Sequence, residues 1–205
     1  EIEGIPLITL KSLRYRAVAD AIKRMFDIVF ASLVLFLHAP LLLLLAVAVR
    51  LDSPGPAFFS HTRIGKDGKP FLIHKFRSMY TSAPPHGVTP RDPTDPRITR
   101  LGAILRRFSL DELPQFVNVL KGDMSTVGPR PEMPFIVALY DDFQRQRLNV
   151  KPGVTGLWQI SGRNDVSYEQ RVNMDTWYVF NWSLYTDLVI LYKTLGVVLK
   201  KRGAY

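Results

Sequence analysis

The sequence predicts an α+β domain, mainly helical, with one small β-hairpin and one apolar helix that enters a membrane and returns. Three observations carry that prediction. The 205 residues, 47% of them hydrophobic, suffice to bury a single substantial core. From Ile28 to Val49 the only clearly polar residues are Ser32 and His38, and Pro40 sits mid-run. Two β-prone runs, Ala57 to Ile64 and Phe71 to Phe76, flank Lys66-Asp67-Gly68-Lys69, and Asp-Gly between such runs signals a hairpin.

In chain order, residues 1–22 read as a junction and amphipathic lead-in, 23–52 as a helix–break–helix membrane segment, and 53–205 as the main domain. The chain opens on Glu1 without a methionine and reads as part of something longer. Its apolar run starts too late for a cleavable signal peptide and lacks a small-residue cleavage site. As a straight helix that run would reach roughly 33 Å, enough to cross a hydrocarbon core of about 30 Å. Pro40 removes a backbone hydrogen bond, and His38 would be costly at bilayer centre. Cations stand on both flanks: Lys11, Arg14, Arg16, Lys23 and Arg24 before, Arg50, Arg63, Lys66, Lys69, Lys75 and Arg77 after. Both ends therefore stay on the cytoplasmic side if the segment bends at His38-Ala39-Pro40 and returns. A spanning helix and a buried soluble helix are the competing readings.

Ser53-Pro54-Gly55-Pro56 closes the run with turn chemistry. The cations of the following hairpin, Arg63, Lys75 and Arg77, fit either a solvated face or contact with phosphate. Thr81 to Pro96, rich in Pro, Thr and Asp, reads as a loop near the site, with His86 exposed. Thr99 to Phe108 spaces Leu101, Ile104, Leu105 and Phe108 as a helical stripe and leaves Arg100, Arg106 and Arg107 off the core face.

The formal charge of +9 and pI near 9.9 favour an anionic partner: nucleic acid, phospholipid or a phosphorylated substrate. Nucleic acid is set aside, because no recognised binding motif accompanies the charge. The absence of cysteine removes disulfides and thiolate metal sites.

Leu105 to Glu132 carries the chemistry. Adjacent carboxylates Asp111 and Glu112 follow Arg106-Arg107 and precede Arg130, which stands between Pro129 and Pro131. Ser109-x-x-Glu112 also fits a capping box. Pro114 complicates that, since proline suits a first helical position, so the helix could instead begin near Leu113. Either way Asp111 would face a helix N-terminus with arginines nearby, both favouring its ionised form. Adjacent carboxylates cannot flank a glycosidic bond, which needs groups on opposite sides roughly 5 to 9.5 Å apart. They suit covalent phosphoryl transfer, one attacking and the other handling a proton or metal. Arg130, its backbone restrained by prolines, would be a pre-organised fork for phosphate, or a rigid turn with an exposed arginine.

Further on, Lys151-Pro152-Gly153-Val154-Thr155-Gly156 and Gln159-Ile160-Ser161-Gly162-Arg163-Asn164 have glycines that could bring backbone amides to an anion. Ser167-x-x-Gln170 caps a helix bearing Asp175, which orients an arginine, assists a metal or forms a surface salt bridge. Trp177, Tyr178, Phe180, Trp182 and Tyr185 precede a last amphipathic helix with a stripe of Leu184, Leu188, Leu191, Leu195 and Leu199, suited to a membrane interface or to core packing.

From about Lys23 to the C-terminus the chain resembles the bacterial sugar transferases, the monotopic polyprenyl-phosphate phosphoglycosyl transferases. The matching elements are Arg63-x-Gly65, Lys75-Phe76-Arg77-Ser78-Met79, Asp111-Glu112, Pro129-Arg130-Pro131, Pro152-Gly153-Val154-Thr155-Gly156 and Ser161-Gly162-Arg163. Ala39-Pro40 stands where the family usually breaks its membrane helix with Ser-Pro. The resemblance implies transfer of a hexose 1-phosphate from a UDP-sugar to undecaprenyl phosphate, with UMP released and a covalent aspartyl intermediate at Asp111. It implies Mg2+ near Asp111 and Glu112, and phosphate or substrate contacts from Arg130, Arg106, Arg63, Lys75, Arg163 and Gln159, with Asp175 an acidic position near the dyad. It further implies a bacterial inner membrane location with the catalytic domain on the cytoplasmic face, phospholipid contact, and a neutral hexose donor. A homo-oligomer is left open. Residues 1–7 look like the junction that follows extra membrane helices in larger members. Two other classes compete: a non-enzymatic peripheral protein binding anionic lipid, and a multi-spanning transferase using single displacement.

Overall fold

Helix α1 (Leu13–Asp52) is the element on which the rest is assembled. The computed structural model describes residues 13–84, 90, 92, 94–162 and 166–200, with side chains from 18 to 198. The expected junction at 1–7, His86 and Arg163 lie outside the described residues. Within them, α1 is assigned as helix both through residue 23, the expected start of the membrane segment, and through Pro40, its expected bend. The proline forfeits one backbone donor, yet the leucines at 41–45 are strong helix formers and the helix continues at once. His38 is satisfied locally, its Nδ1 donating to the Val34 carbonyl at 2.9 Å.

Both limbs of α1 rest on the same body. Ala31 joins a cluster with Ile73, Val119 and Met124, while Leu45 and Val49 join Phe76 and Leu105. Between them Leu33, Phe36, Leu37, Leu43 and Leu44 are all exposed. Near the start of the described part, Asp27 accepts from the Ser125 hydroxyl (3.0 Å) and the Thr126 amide (2.9 Å). At its end, buried Arg77 donates to the Val49, Ser53 and Pro54 carbonyls, so this hairpin cation is a C-terminal helix cap. α1 is also the one described helix long and apolar enough to cross a membrane.

The hairpin forms as expected. β1 (Phe58–Ile64) pairs antiparallel with β2 (Pro70–Phe76), joined through a short 3-10 turn at Lys66–Gly68 in which Asp67 has φ 57°. Helix α2 (Arg100–Arg107) is capped by the Thr99 hydroxyl. Its predicted stripe is only partly right: Leu105 is buried, but Ile104 faces out and Arg106 turns inward. Next come α3 (Gln115–Lys121), β3 (Ser125–Val127), α4 (Pro134–Val137), α5 (Asp142–Arg145), β4 (Gly153–Thr155), α6 (Leu157–Ile160), α7 (Tyr168–Phe180) and α8 (Leu184–Lys200).

β3 and β4 form a parallel pair that the sequence did not reveal. Its strands touch so closely that a Cβ on Gly153 would stand 2.1 Å from the Gly128 amide nitrogen. The Gly153 amide donates to the Pro129 carbonyl and the Gly128 amide to the Thr155 carbonyl, each at 2.9 Å. Gly128 and Gly153 thus serve strand contact, and their two amides are unavailable to an anion. The Ser167–Gln170 capping box forms as predicted. α8 is turned differently from expectation: Asp187 and Ile190 are buried, while Leu188 and Leu195 of the leucine stripe are exposed. Buried Asp187 explains this, because it accepts from Lys23 (2.6 Å), Tyr178 (2.6 Å) and Trp182 (3.1 Å) and so fixes α8 against α1 and α7. Outside, Trp177, Phe180, Tyr185 and Tyr192 extend the apolar surface.

Candidate active site

Asp111 and Glu112 occupy a 3-10 turn (Leu110–Glu112) between α2 and α3. The chain enters it through Ser109 at φ 55°, a left-handed conformation that is uncommon for a residue with a Cβ. The capping box does not form: Ser109 makes no side-chain cap bond, and α3 begins after Pro114. Glu112 is turned instead toward cations. Its Oε1 accepts from Lys75 Nζ at 2.8 Å and Arg130 Nη2 at 2.7 Å, and its Oε2 from Arg130 Nη1 at 3.4 Å.

Three remote segments deliver these groups. Lys75 precedes Phe76, whose ring is anchored in the core, so the strand's alternation aims the lysine to the opposite face. Arg130 follows β3, and its turn is held from behind by Arg147, which donates to the Arg130 carbonyl at 3.3 Å. Arg147 is itself fixed by Asp175, through Nε at 3.0 Å and Nη2 at 2.6 Å, and by the Tyr140 hydroxyl at 2.6 Å. Asp175 and Arg147 are both buried. Asp175 thus holds an arginine from within the core and not at the surface. No signal in the sequence pointed to Arg147 or Tyr140, since their partners lie far along the chain.

Arg63, from β1, donates to His61 Nε2 at 2.7 Å and to the Pro131 carbonyl at 3.3 Å, and pairs with Glu132 at 3.7 Å. Burial, with Arg130 beside it, brings its guanidinium down to about 10. Arg106 reaches the Pro90 carbonyl at 3.0 Å and lies in the field of Asp111, while burial pushes it below its ordinary value. Asp111, Glu112, Lys75, Arg63, Arg106 and Arg130 are thus brought together. Gln159 is not: it sits on α6 and donates to the Val154 carbonyl at 3.3 Å. α6 packs on α7 and α8, which keeps it with the C-terminal helices.

The two carboxyls are shifted in opposite directions. Burial raises Glu112, but Arg130 and Lys75 outweigh it and hold the group well below the ordinary carboxylate range. Burial pushes Asp111 up, with Lys75 opposing and the charge on Glu112 adding to the rise. Ionisation favoured by a helix dipole was the expectation; desolvation wins because α3 is short and starts beyond Pro114. Asp111 is 9% exposed, and among the described residues nothing donates a hydrogen bond to it. The site therefore offers one carboxyl that no described residue hydrogen-bonds, in the field of Lys75, Arg106 and Arg130, and one carboxylate that fixes two of those cations.

Residues 18–201 match the family model described as bacterial sugar transferase. The chain is 45% identical to exopolysaccharide production protein ExoY of Rhizobium meliloti (strain 1021), over 93% of this chain and 91% of that protein. It is 47% identical to the undecaprenyl-phosphate galactose phosphotransferase of Salmonella typhimurium (strain LT2), over 90% of this chain and 42% of that protein. It is 42% identical to the UDP-glucose:undecaprenyl-phosphate glucose-1-phosphate transferase of Escherichia coli (strain K12), over the whole chain and 46% of that protein. The chain thus spans nearly all of one relative and less than half of the other two. An acidic pair set among arginines and a lysine, and a family match across nine tenths of the sequence, lead to one conclusion: the chain belongs to the bacterial sugar transferase family.

Proposed function

We propose that the chain moves a hexose 1-phosphate from a UDP-hexose to undecaprenyl phosphate by double displacement at Asp111. The names of the Salmonella and Escherichia relatives supply the substrate class. The observation that carries the mechanism is the asymmetry of the pair, with Asp111 unengaged and Glu112 committed to Arg130 and Lys75. The carboxylate form of Asp111 bonds through Oδ to the β-phosphorus of the donor, the bond from that phosphorus to the bridging oxygen breaks, and UMP leaves with the bridging oxygen. An oxygen of the lipid phosphate then attacks the same phosphorus, the Asp111–phosphorus bond breaks, and a lipid diphosphate-sugar leaves. Arg130, Arg63, Arg106 and Lys75 stabilise the charge on the phosphoryl oxygens. Glu112, held ionised, is a poor proton carrier and acts by keeping Arg130 and Lys75 aimed.

The residues fit Mg2+ as an incomplete donor set. Among the described residues no group of three or more ligating side chains exists, but magnesium commonly takes one or two carboxylates and completes its shell with substrate phosphates and water. Asp111, to which no described residue donates a hydrogen bond, and Glu112 Oε2, with only a long one, would hold it. When bound it would neutralise diphosphate charge.

Without acceptor lipid, double displacement predicts a burst of UMP of about one equivalent per protein, followed by turnover when undecaprenyl phosphate is added. Release that strictly requires the lipid from the first equivalent would instead establish single displacement. A panel of UDP-hexoses in the same assay identifies the donor.

α1 supports a placement at the membrane. A straight helix would put Ala31 and Val49 about 27 Å apart. Ile73 and Phe76, which share their respective clusters on β2, stand only about 10 Å apart. Both limbs docked on one body, with an exposed apolar apex between, suit a segment that bends around Pro40 and returns to the cytoplasmic face of the inner membrane. The chain has no cysteine, so single cysteines at Ala21 and Lys69 are clean probes. In inside-out vesicles both are expected to react with an impermeant maleimide. Opposite sidedness would establish a crossing helix.

A further inference from the structure

A second cationic group lies at the far end of α3 from the dyad. Arg24, on α1, donates to the Val119 and Leu120 carbonyls at 2.5 and 2.7 Å. A Cβ built on Gly122 would stand 3.5 Å from Arg24 Nη2 and 3.6 Å from Lys151 Nζ, so the two cations flank one point beside the helix end. Lys66, at the hairpin tip, adds a third positive charge in their field. Two carboxylates are close enough to be felt, and both are engaged elsewhere. Asp27 is held by Ser125, Thr126 and, at 3.8 Å, Lys23, while Asp123 accepts from Asn118 at 3.4 Å. Among the described residues the Lys151 ammonium makes no hydrogen bond and no ion pair. Burial lowers its proton affinity, and Arg24 lowers it further. Like charges gathered with one member unpaired form a site that an anion completes.

Position identifies the anion. From Glu112 to Gly122 is about 15 Å along the helix, too far for a phosphate at this point to be the one that reacts. On α1, Arg24 is flanked by exposed Ile22, Met25, Ile28 and Val29. We propose that Arg24, Lys151 and Lys66 form a non-catalytic site for the phosphate of an anionic bilayer phospholipid, seated where α1 enters the membrane. The inference rests on the re-entrant reading only in placing Arg24 at the interface. The bound headgroup would tie α1, the end of α3 and the start of β4 together at the bilayer surface.

The test is thermal unfolding in neutral detergent micelles with short-chain phosphatidylglycerol, phosphatidylcholine of equal chain length, or inorganic phosphate. Phosphatidylglycerol is expected to raise the Tm of the unaltered protein well beyond the other two. Lys151→Gln should remove at least half of that rise, Lys66→Gln on the exposed tip a smaller part, and Lys151→Arg should keep it. Equal rises in the unaltered protein and Lys151→Gln overturn the site, as does loss in Lys151→Arg, which would mean packing and not charge. A rise with inorganic phosphate matching that with phosphatidylglycerol overturns the lipid assignment. UMP release is scored on the same preparation, so a protein that releases UMP without any lipid-dependent rise overturns this site and leaves the transferase reading intact.

Discussion

Asp111→Asn is expected to lower UMP release from a UDP-hexose by a thousandfold or more, on the order seen when a covalent nucleophile is removed. The amide keeps the shape of the carboxyl and loses the attacking oxygen. Intact-protein mass spectrometry after incubation with donor alone should show a hexose-phosphate adduct on the unaltered chain and none on the variant. Stability should not fall, because burial already disfavours the charged form of Asp111 and no described residue hydrogen-bonds it. A variant that is folded, inactive and adduct-free isolates the chemical role. An Asn variant that keeps substantial turnover would remove Asp111 from the mechanism and leave Glu112 as the candidate.

Arg147→Met is expected to cost about 3–5 kcal/mol, the range for stranding one partner of a buried ion pair. Asp175, 1% exposed, would lose both guanidinium donors, and the Arg130 carbonyl would lose its support. The loss should depend on pH. Burial pushes the Asp175 carboxyl up to about 7 against the pull of Arg147. An unfolded carboxyl loses its proton near 3.8, so between 3.8 and about 7 the folded state holds more protons. Stability contributed at this position is therefore full below that window and falls as pH rises through it, by at most about 4 kcal/mol. Asp175→Asn should flatten that part of the stability–pH curve, while Arg147→Met should be least harmful near pH 5 and worst near pH 8. Melting temperatures at the two pH values decide it: the same pH slope with and without Asp175 would show that the carboxyl titrates normally.

What could be read in advance was local. Ser167 caps its helix because a hydroxyl one residue before a helix satisfies an amide whatever lies around it. Asp-Gly turned the hairpin because both residues tolerate positive φ. The dyad and the proline-flanked arginine stood out because their residue types and spacing suit phosphate chemistry. The misjudged features were those in which one side chain had two local options. Of the two readings of Ser109 to Pro114, the later helix start holds and the capping box does not, because Lys75 and Arg130 offered Glu112 two full charges in place of one amide. Ile104 and Arg106 exchanged the faces that periodicity assigned them, because Arg106 has Asp111 to face and a carbonyl to bond.

The order of residues alone determined that this chain would fold around one apolar helix, carry a cationic hairpin and present an acidic pair beside arginines, since periodicity, turn chemistry and composition act over a few residues. Tertiary structure alone decided that β3 and β4 pair, that Arg147 and Asp175 brace Arg130, and that burial raises one of the neighbouring carboxyls while cations lower the other. Burial and cross-chain electrostatics depend on which distant segments meet, and neither is a property of any short stretch of sequence.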